Sequence, residues 1–111
     1  MVPPSLNGYD ILSVFSVEDR TPRLIEVKTS SATIGYSSMK ITAKEWETAC
    51  AFPDRYFFYL WMLDKKPKLA ILSQSDVRPH VAENHGRGVW EAVEVPFSTF
   101  ASAFCDVNME C

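Results

Sequence analysis

Long apolar runs are missing from this sequence. No window approaches the ~18 uninterrupted apolar residues that a membrane-spanning helix requires. The opening stretch, MVPPSLNGYD, has neither a basic n-region nor an apolar h-region, so no secretory leader is legible. Cysteine is sparse. Cys50, Cys105 and Cys111 make an odd count with no paired spacing, which suits a reducing compartment better than a disulfide framework. An excess of positive charge is absent too: the formal net charge is −3. A protein held to nucleic acid by its overall field is usually basic, so the charge argues against a tight non-specific coat protein but not against an enzyme with a local basic stripe. No internal repeat or low-complexity tract is present. The expected setting is intracellular, cytoplasmic or, in a eukaryote, nuclear.

What remains is an ordinary globular composition, 47% hydrophobic and 23% charged over 111 residues. That length supports one domain around one core. Residues 1–7 read as a lead-in, 8–75 as the core, and 76–111 as an additional strand with a short C-terminal helix.

Tyr9 to Val17 is rich in β-formers, Glu18–Pro22 is a polar turn closed by proline, and Arg23 to Thr29 reads as the partner strand of a hairpin. Ser30 to Ser38 reads as loop, with Met39–Ile41 as a short extended piece. Thr42-Ala43-Lys44-Glu45 fits a capping box, with Ala43, Trp46, Ala49 and Cys50 on one helical stripe and an end by Phe52, before Pro53. Tyr56–Leu63 (YFFYLWML) reads as a strand buried on both faces, and Lys68–Leu72 as its antiparallel neighbour. Ser75–Gly88 reads as polar and irregular, Val89–Val95 as a partly exposed strand, and Pro96–Phe104 as a short helix. The order predicts an α/β fold, an α+β mixed sheet.

The chemistry concentrates in an Asp-x15-Glu-x-Lys pattern formed by Asp10, Glu26 and Lys28. Residues two apart on a strand share a face, so Glu26 and Lys28 point together, and the hairpin brings Asp10 beside them. Two hard carboxylates with a nearby ammonium suit Mg²⁺ or Mn²⁺ acting on a phosphodiester. Carboxylates ~4 Å apart repel by roughly 4 kcal/mol at an effective dielectric near 20, so the pattern calls for a cation or for wider spacing. A half-exposed strand also alternates charged and apolar residues, and that plainer reading stays open.

His80-x4-His85 with Glu83 between them lacks a third ligand of supporting spacing and reads as a loop with solvated imidazoles. The serines have no partnered base for a hydrolase triad. Lys40, Lys44, Lys65 and Lys66 are the candidate phosphate-tracking residues.

Gly8-Tyr9-Asp10-Ile11, Ile25-Glu26-Val27-Lys28-Thr29, Ile41-Thr42-Ala43-Lys44-Glu45-Trp46 and Tyr56-Phe57-Phe58-Tyr59 fall in the order and spacing of one domain family. Over residues 8–75 the chain resembles the DUF3883 domain, the C-terminal domain of plant NO VEIN proteins, which looks like a branch of the PD-(D/E)xK restriction-endonuclease-like superfamily. The resemblance implies a restriction-endonuclease-like core acting on DNA. It makes Asp10 and Glu26 metal ligands, the Val27 backbone carbonyl a further ligand, and Lys28 the catalytic lysine. That superfamily's fold usually opens with a helix, and only seven residues precede Gly8. The expected core therefore lacks the helix, and a longer protein, a homodimer or a larger multidomain partner is expected to complete it. Two functions follow: a Mg²⁺-dependent endonuclease, or a non-catalytic module that binds nucleic acid or protein on the same fold.

Overall fold

The computed structural model of the chain describes residues 8–14, 16–84 and 90–107, the side chains of residues 83 and 84 excepted. Its organising element is the strand predicted to carry the acids. Strand β1 (Ile11–Val14) runs antiparallel to β2 (Pro22–Ser30), with Ile11 opposite Ile25 and Val14 opposite Pro22, as the hairpin reading requires. From Ser30 the chain passes a short 3₁₀ turn (Ile34–Tyr36) into β3 (Ser38–Thr42) and helix α1 (Ala43–Ala51). It returns as β4 (Tyr56–Met62), parallel to β2. Parallel neighbours need a long crossover, and β3 with α1 supply it. Strand β5 (Lys68–Ser73) then pairs antiparallel with β4, as expected for Lys68–Leu72.

The rest departs from the sequence reading. Residues 74–84 are not irregular; they form helix α2 (Gln74–Asn84), with Pro79 inside it. Its start is fixed by a reciprocal pair, the Asp76 N–H donating to Ser73 Oγ and the Ser73 N–H donating to Asp76 Oδ2. Val77 and Val81, one turn apart, are its buried contacts. Strand β6 (Ala92–Pro96) pairs antiparallel with β3 in a separate two-stranded sheet rather than joining the main one. The terminal helix is a 3₁₀ segment (Phe97–Ala103) kinked at Phe100, and a two-residue strand β7 (Cys105–Asp106) follows it. Among the described residues the main sheet has five strands, in the order β1-β2-β4-β5-β7. The fold is a mixed α+β architecture, as predicted.

One face of the main sheet meets α1, α2 and the small sheet. Leu24, Tyr56, Phe58, Leu60, Ala70 and Leu72 pack there against Met39, Ile41, Ala49, Val77, Val81, Val93, Val95 and Phe97. Strand β4 is therefore buried on one face only. Phe57, Tyr59 and Trp61 on the other are half-buried, with the Arg23 guanidinium over the Phe57 ring at 4.4 Å and the Tyr59 ring at 5.5 Å. The reason is architectural: among the described residues, both helices and the second sheet contact the opposite face. Ala49 on α1 is fully buried, Trp46 is half-buried and stacked on Phe58 at 6.4 Å, and Cys50 is exposed. Cys105 is disulfide-bonded, which corrects the expectation of unpaired cysteines.

Candidate functional site

Strand β1 is short, and its brevity shapes the site. It pairs with β2 only up to Ile25, and among the described residues no strand lies beside the edge of β2 from Val27 onward. Asp10, just before β1, fills the first open position. Its N–H donates to the Ile25 carbonyl at 2.9 Å, and its Oδ2 accepts the Val27 N–H at 2.7 Å. The carboxylate thus continues the ladder in place of a backbone carbonyl. Alternate residues of a strand direct their N–H and C=O groups to the same side, so the Val27 carbonyl lies along the edge that Asp10 occupies. Asp10 itself is exposed.

Two further contacts place this strap. The Tyr56 hydroxyl donates to the Gly8 carbonyl. Gly8 has φ of +73°, and a Cβ on it would lie 2.2 Å from Thr48 Oγ1. Only glycine takes both that backbone conformation and that approach without strain. The chain therefore crosses closely over α1 before it delivers Asp10.

Glu26 and Lys28 project from β2 toward the covered face, in register with Phe58 and Leu60 of β4. Glu26 is 4% exposed. Burial, and next a hydrogen bond with the Asp10 side chain, push the Glu26 carboxyl up to about 9; Lys28 pulls the other way, and the charges of Glu45 and Asp10 add to the rise. Burial beside a second acid thus favours the neutral form of the Glu26 carboxyl. Burial and the same three acids push the Tyr56 phenol upward, which keeps it a neutral donor.

The Lys28 ammonium lies 3.6 Å from Glu26 Oε2 but closer to Glu45, at 3.0 Å from Oε1 and 3.1 Å from Oε2. Glu45 was expected only as the carboxylate of the capping box, and that role holds. Its Oε1 accepts the Thr42 N–H at 2.9 Å while its own N–H donates to Thr42 Oγ1 at 3.1 Å. Its place beside Lys28 was missed, because a residue seventeen positions away is adjacent only once the crossover has closed.

Asp10, Glu26 and Lys28 therefore converge as predicted, with the Val27 carbonyl on the same edge. The four lysines do not form one group: Lys40 is on β3 opposite Glu94, Lys44 is in the first turn of α1, and Lys65 and Lys66 are in the β4–β5 turn, all exposed. His80 is on α2, edge-on to the Phe100 ring at 5.1 Å, while His85 and the Glu83 side chain lie outside the described residues. Among the described residues, no three or more His, Cys, Asp and Glu side chains are grouped to hold a metal. The donor set at the edge is two carboxyl groups and one backbone carbonyl, all hard oxygen.

The family model described as Protein NO VEIN, C-terminal, matches residues 2–72. The chain belongs to this family. No curated protein and no solved structure shows a significant match. The NO VEIN C-terminal match covers the hairpin, the crossover and β4, and with them Asp10, Glu26, Lys28 and Glu45. It stops near the end of β5, before α2 and β6. No helix of the described residues is long and apolar enough to cross a membrane.

Proposed function

We propose that this NO VEIN C-terminal domain is a divalent-metal-dependent phosphodiesterase acting on DNA, an endonuclease of the restriction-endonuclease-like kind. The observation that carries the reading is the edge of β2. A carboxylate anchored by the Val27 N–H is hydrogen-bonded to a second, buried carboxyl, with an ammonium 3.6 Å from the latter. A purely structural strand face has no use for an acid–acid contact, since each carboxyl raises the cost of ionising the other.

The residues fit Mg²⁺ or Mn²⁺. Asp10, Glu26 and the Val27 carbonyl are hard oxygen donors, and few protein ligands are what Mg²⁺ takes when water and phosphate complete its shell. When bound, the ion supplies charge neutralisation at the phosphate and lowers the pKa of a coordinated water. Asp10, exposed at the edge, faces the substrate side. Glu26, whose carboxyl is pushed up by burial, must be ionised to serve as an anionic ligand. Lys28 holds a fixed positive charge beside them, placed to offset negative charge growing on a phosphoryl group. Lys40, Lys44, Lys65 and Lys66 would contact the DNA backbone in this reading, and a partner segment or subunit would complete the binding surface.

The experiment is plasmid nicking together with melting temperature, each with Mn²⁺ and with chelator. Wild type is expected to nick only with metal. At free metal about 100-fold above Kd, linkage adds about 2.7 kcal/mol of stability. Asp10→Asn retains an acceptor for the Val27 N–H and is expected to lose both the metal-induced shift and the nicking. Lys28→Met is expected to lose nicking alone. DNA binding that ignores metal, with no nicking, would establish the non-catalytic module instead.

A further inference from the structure

We propose that Glu45 is the positioning residue for Lys28, and that the N-terminal cap of α1 is thereby part of the site. The inference rests on the phosphodiesterase reading for its consequence, though not for its geometry.

A lysine carries its ammonium on a flexible four-carbon stem. Beside Glu26 and Asp10 alone, that ammonium would settle on whichever oxygen was nearest. Instead both Glu45 oxygens hold it, at 3.0 and 3.1 Å, while Glu26 Oε2 stays at 3.6 Å. Glu45 is not free to follow the lysine. Its Oε1 also accepts the Thr42 N–H at 2.9 Å, its backbone N–H is tied to Thr42 Oγ1 at 3.1 Å, and its side chain is 14% exposed. The anchor is preorganised by the first turn of a helix. An ammonium has three protons. With two directed at Glu45, the third is left for the acid edge or for an arriving phosphate oxygen.

A plain strut between α1 and β2 would use the same contacts, and the two roles differ in what they need. A strut needs the hydrogen bonds. Positioning needs the Glu45 carboxylate charge on the ammonium.

Glu45→Gln removes the charge and one of the two acceptors of the ammonium, while its amide oxygen still accepts the Thr42 N–H; a strut alone would lose stability there and keep kcat. Thr42→Ala does the reverse, weakening the cap and leaving the carboxylate. The direct readout is the ¹⁵N-lysine NMR spectrum of the whole chain, in which an ammonium held by carboxylates exchanges slowly enough to be seen. Wild type is expected to give one such signal that Lys28→Met removes, Glu45→Gln loses and Thr42→Ala keeps. In nicking with Mn²⁺, Glu45→Gln is expected to lower kcat by about 30-fold or more with KM changed less than about 3-fold, the pattern of a group effective only in the transition state.

A Lys28 signal that persists in Glu45→Gln overturns the proposal, and so does a lost signal with kcat unchanged. A wild type that does not nick defeats the phosphodiesterase reading alone. The spectra then decide on positioning by themselves, loss in Glu45→Gln with retention in Thr42→Ala upholding it. If Glu45→Gln does not fold, Glu45→Asp takes its place. It keeps the charge, retracts it by one methylene, and is expected to broaden the Lys28 signal and reduce kcat.

Discussion

Gly8 is two residues from Asp10, and its cost of replacement can be stated from local geometry. Gly8→Ala combines a left-handed backbone with a methyl carbon 2.2 Å from Thr48 Oγ1. Destabilisation of about 1–3 kcal/mol is expected in urea melts. Adding Thr48→Ala should return part of that loss, because the steric clash goes while the backbone strain stays. The Glu26 carboxyl sets a pH dependence. Its native pKa is raised from 4.5 to about 9, so the native state binds more protons than the unfolded chain between those values. The contribution is present in full below about 4.5 and is lost progressively as pH rises to about 9. Without metal, the melting temperature is expected to fall from pH 5 to pH 9, and Glu26→Gln to flatten that slope. A slope unchanged in Glu26→Gln would place the titration elsewhere. Asp10, Glu26 and Lys28 were legible in the sequence because strand alternation and hairpin pairing are local rules. Glu45 as the lysine's partner was not, because nothing local links Lys28 to a helix seventeen residues on.

Helix α1 was legible as an element because its signals are local: Thr42 and Glu45, within four residues, for the cap, and Pro53 just beyond the end. Its exposed and buried faces were less so. Trp46 is half-buried rather than enclosed, so Trp46→Ala is expected to cost about 2–4 kcal/mol, less than a fully buried tryptophan would, as read from denaturant melts. Thr42→Ala is expected to cost about 1 kcal/mol through the cap. Helix α2 escaped the sequence reading for a physical reason. Pro79 lacks an N–H and clashes with the preceding turn, which argues against a helix interior. Tertiary burial of Val77 and Val81 outweighed that local penalty. The start signal was there in Ser73 and Asp76, three apart. Asp76→Ala is expected to cost about 0.5–2 kcal/mol, since it removes an acceptor from the Ser73 N–H at the head of the helix.

At the scale of the molecule, the mixed α+β class followed from element order, but the division into two sheets did not. Partner choice between β3 and β6 is a long-range matter, decided by Met39 and Ile41 meeting Val95 and Val93 across the core. The same distance in sequence governs when the site comes into being. The Tyr56–Gly8 hydrogen bond joins residues 48 apart. Closing such a span costs chain entropy that is recovered only after β4 has docked beside β2. The Tyr56–Gly8 bond is thus expected to form late in folding, once β4 has docked. Tyr56→Phe removes the donor and is expected to cost about 1–1.5 kcal/mol. In stopped-flow chevrons that loss should speed unfolding by about 5- to 10-fold and leave the refolding rate unchanged. A chain without that bond would still hold Asp10 on β2 through the Ile25 carbonyl and the Val27 N–H, with Gly8 no longer pinned to the core behind it. Tyr56 is then a clasp that tightens an aspartate the hairpin has already delivered.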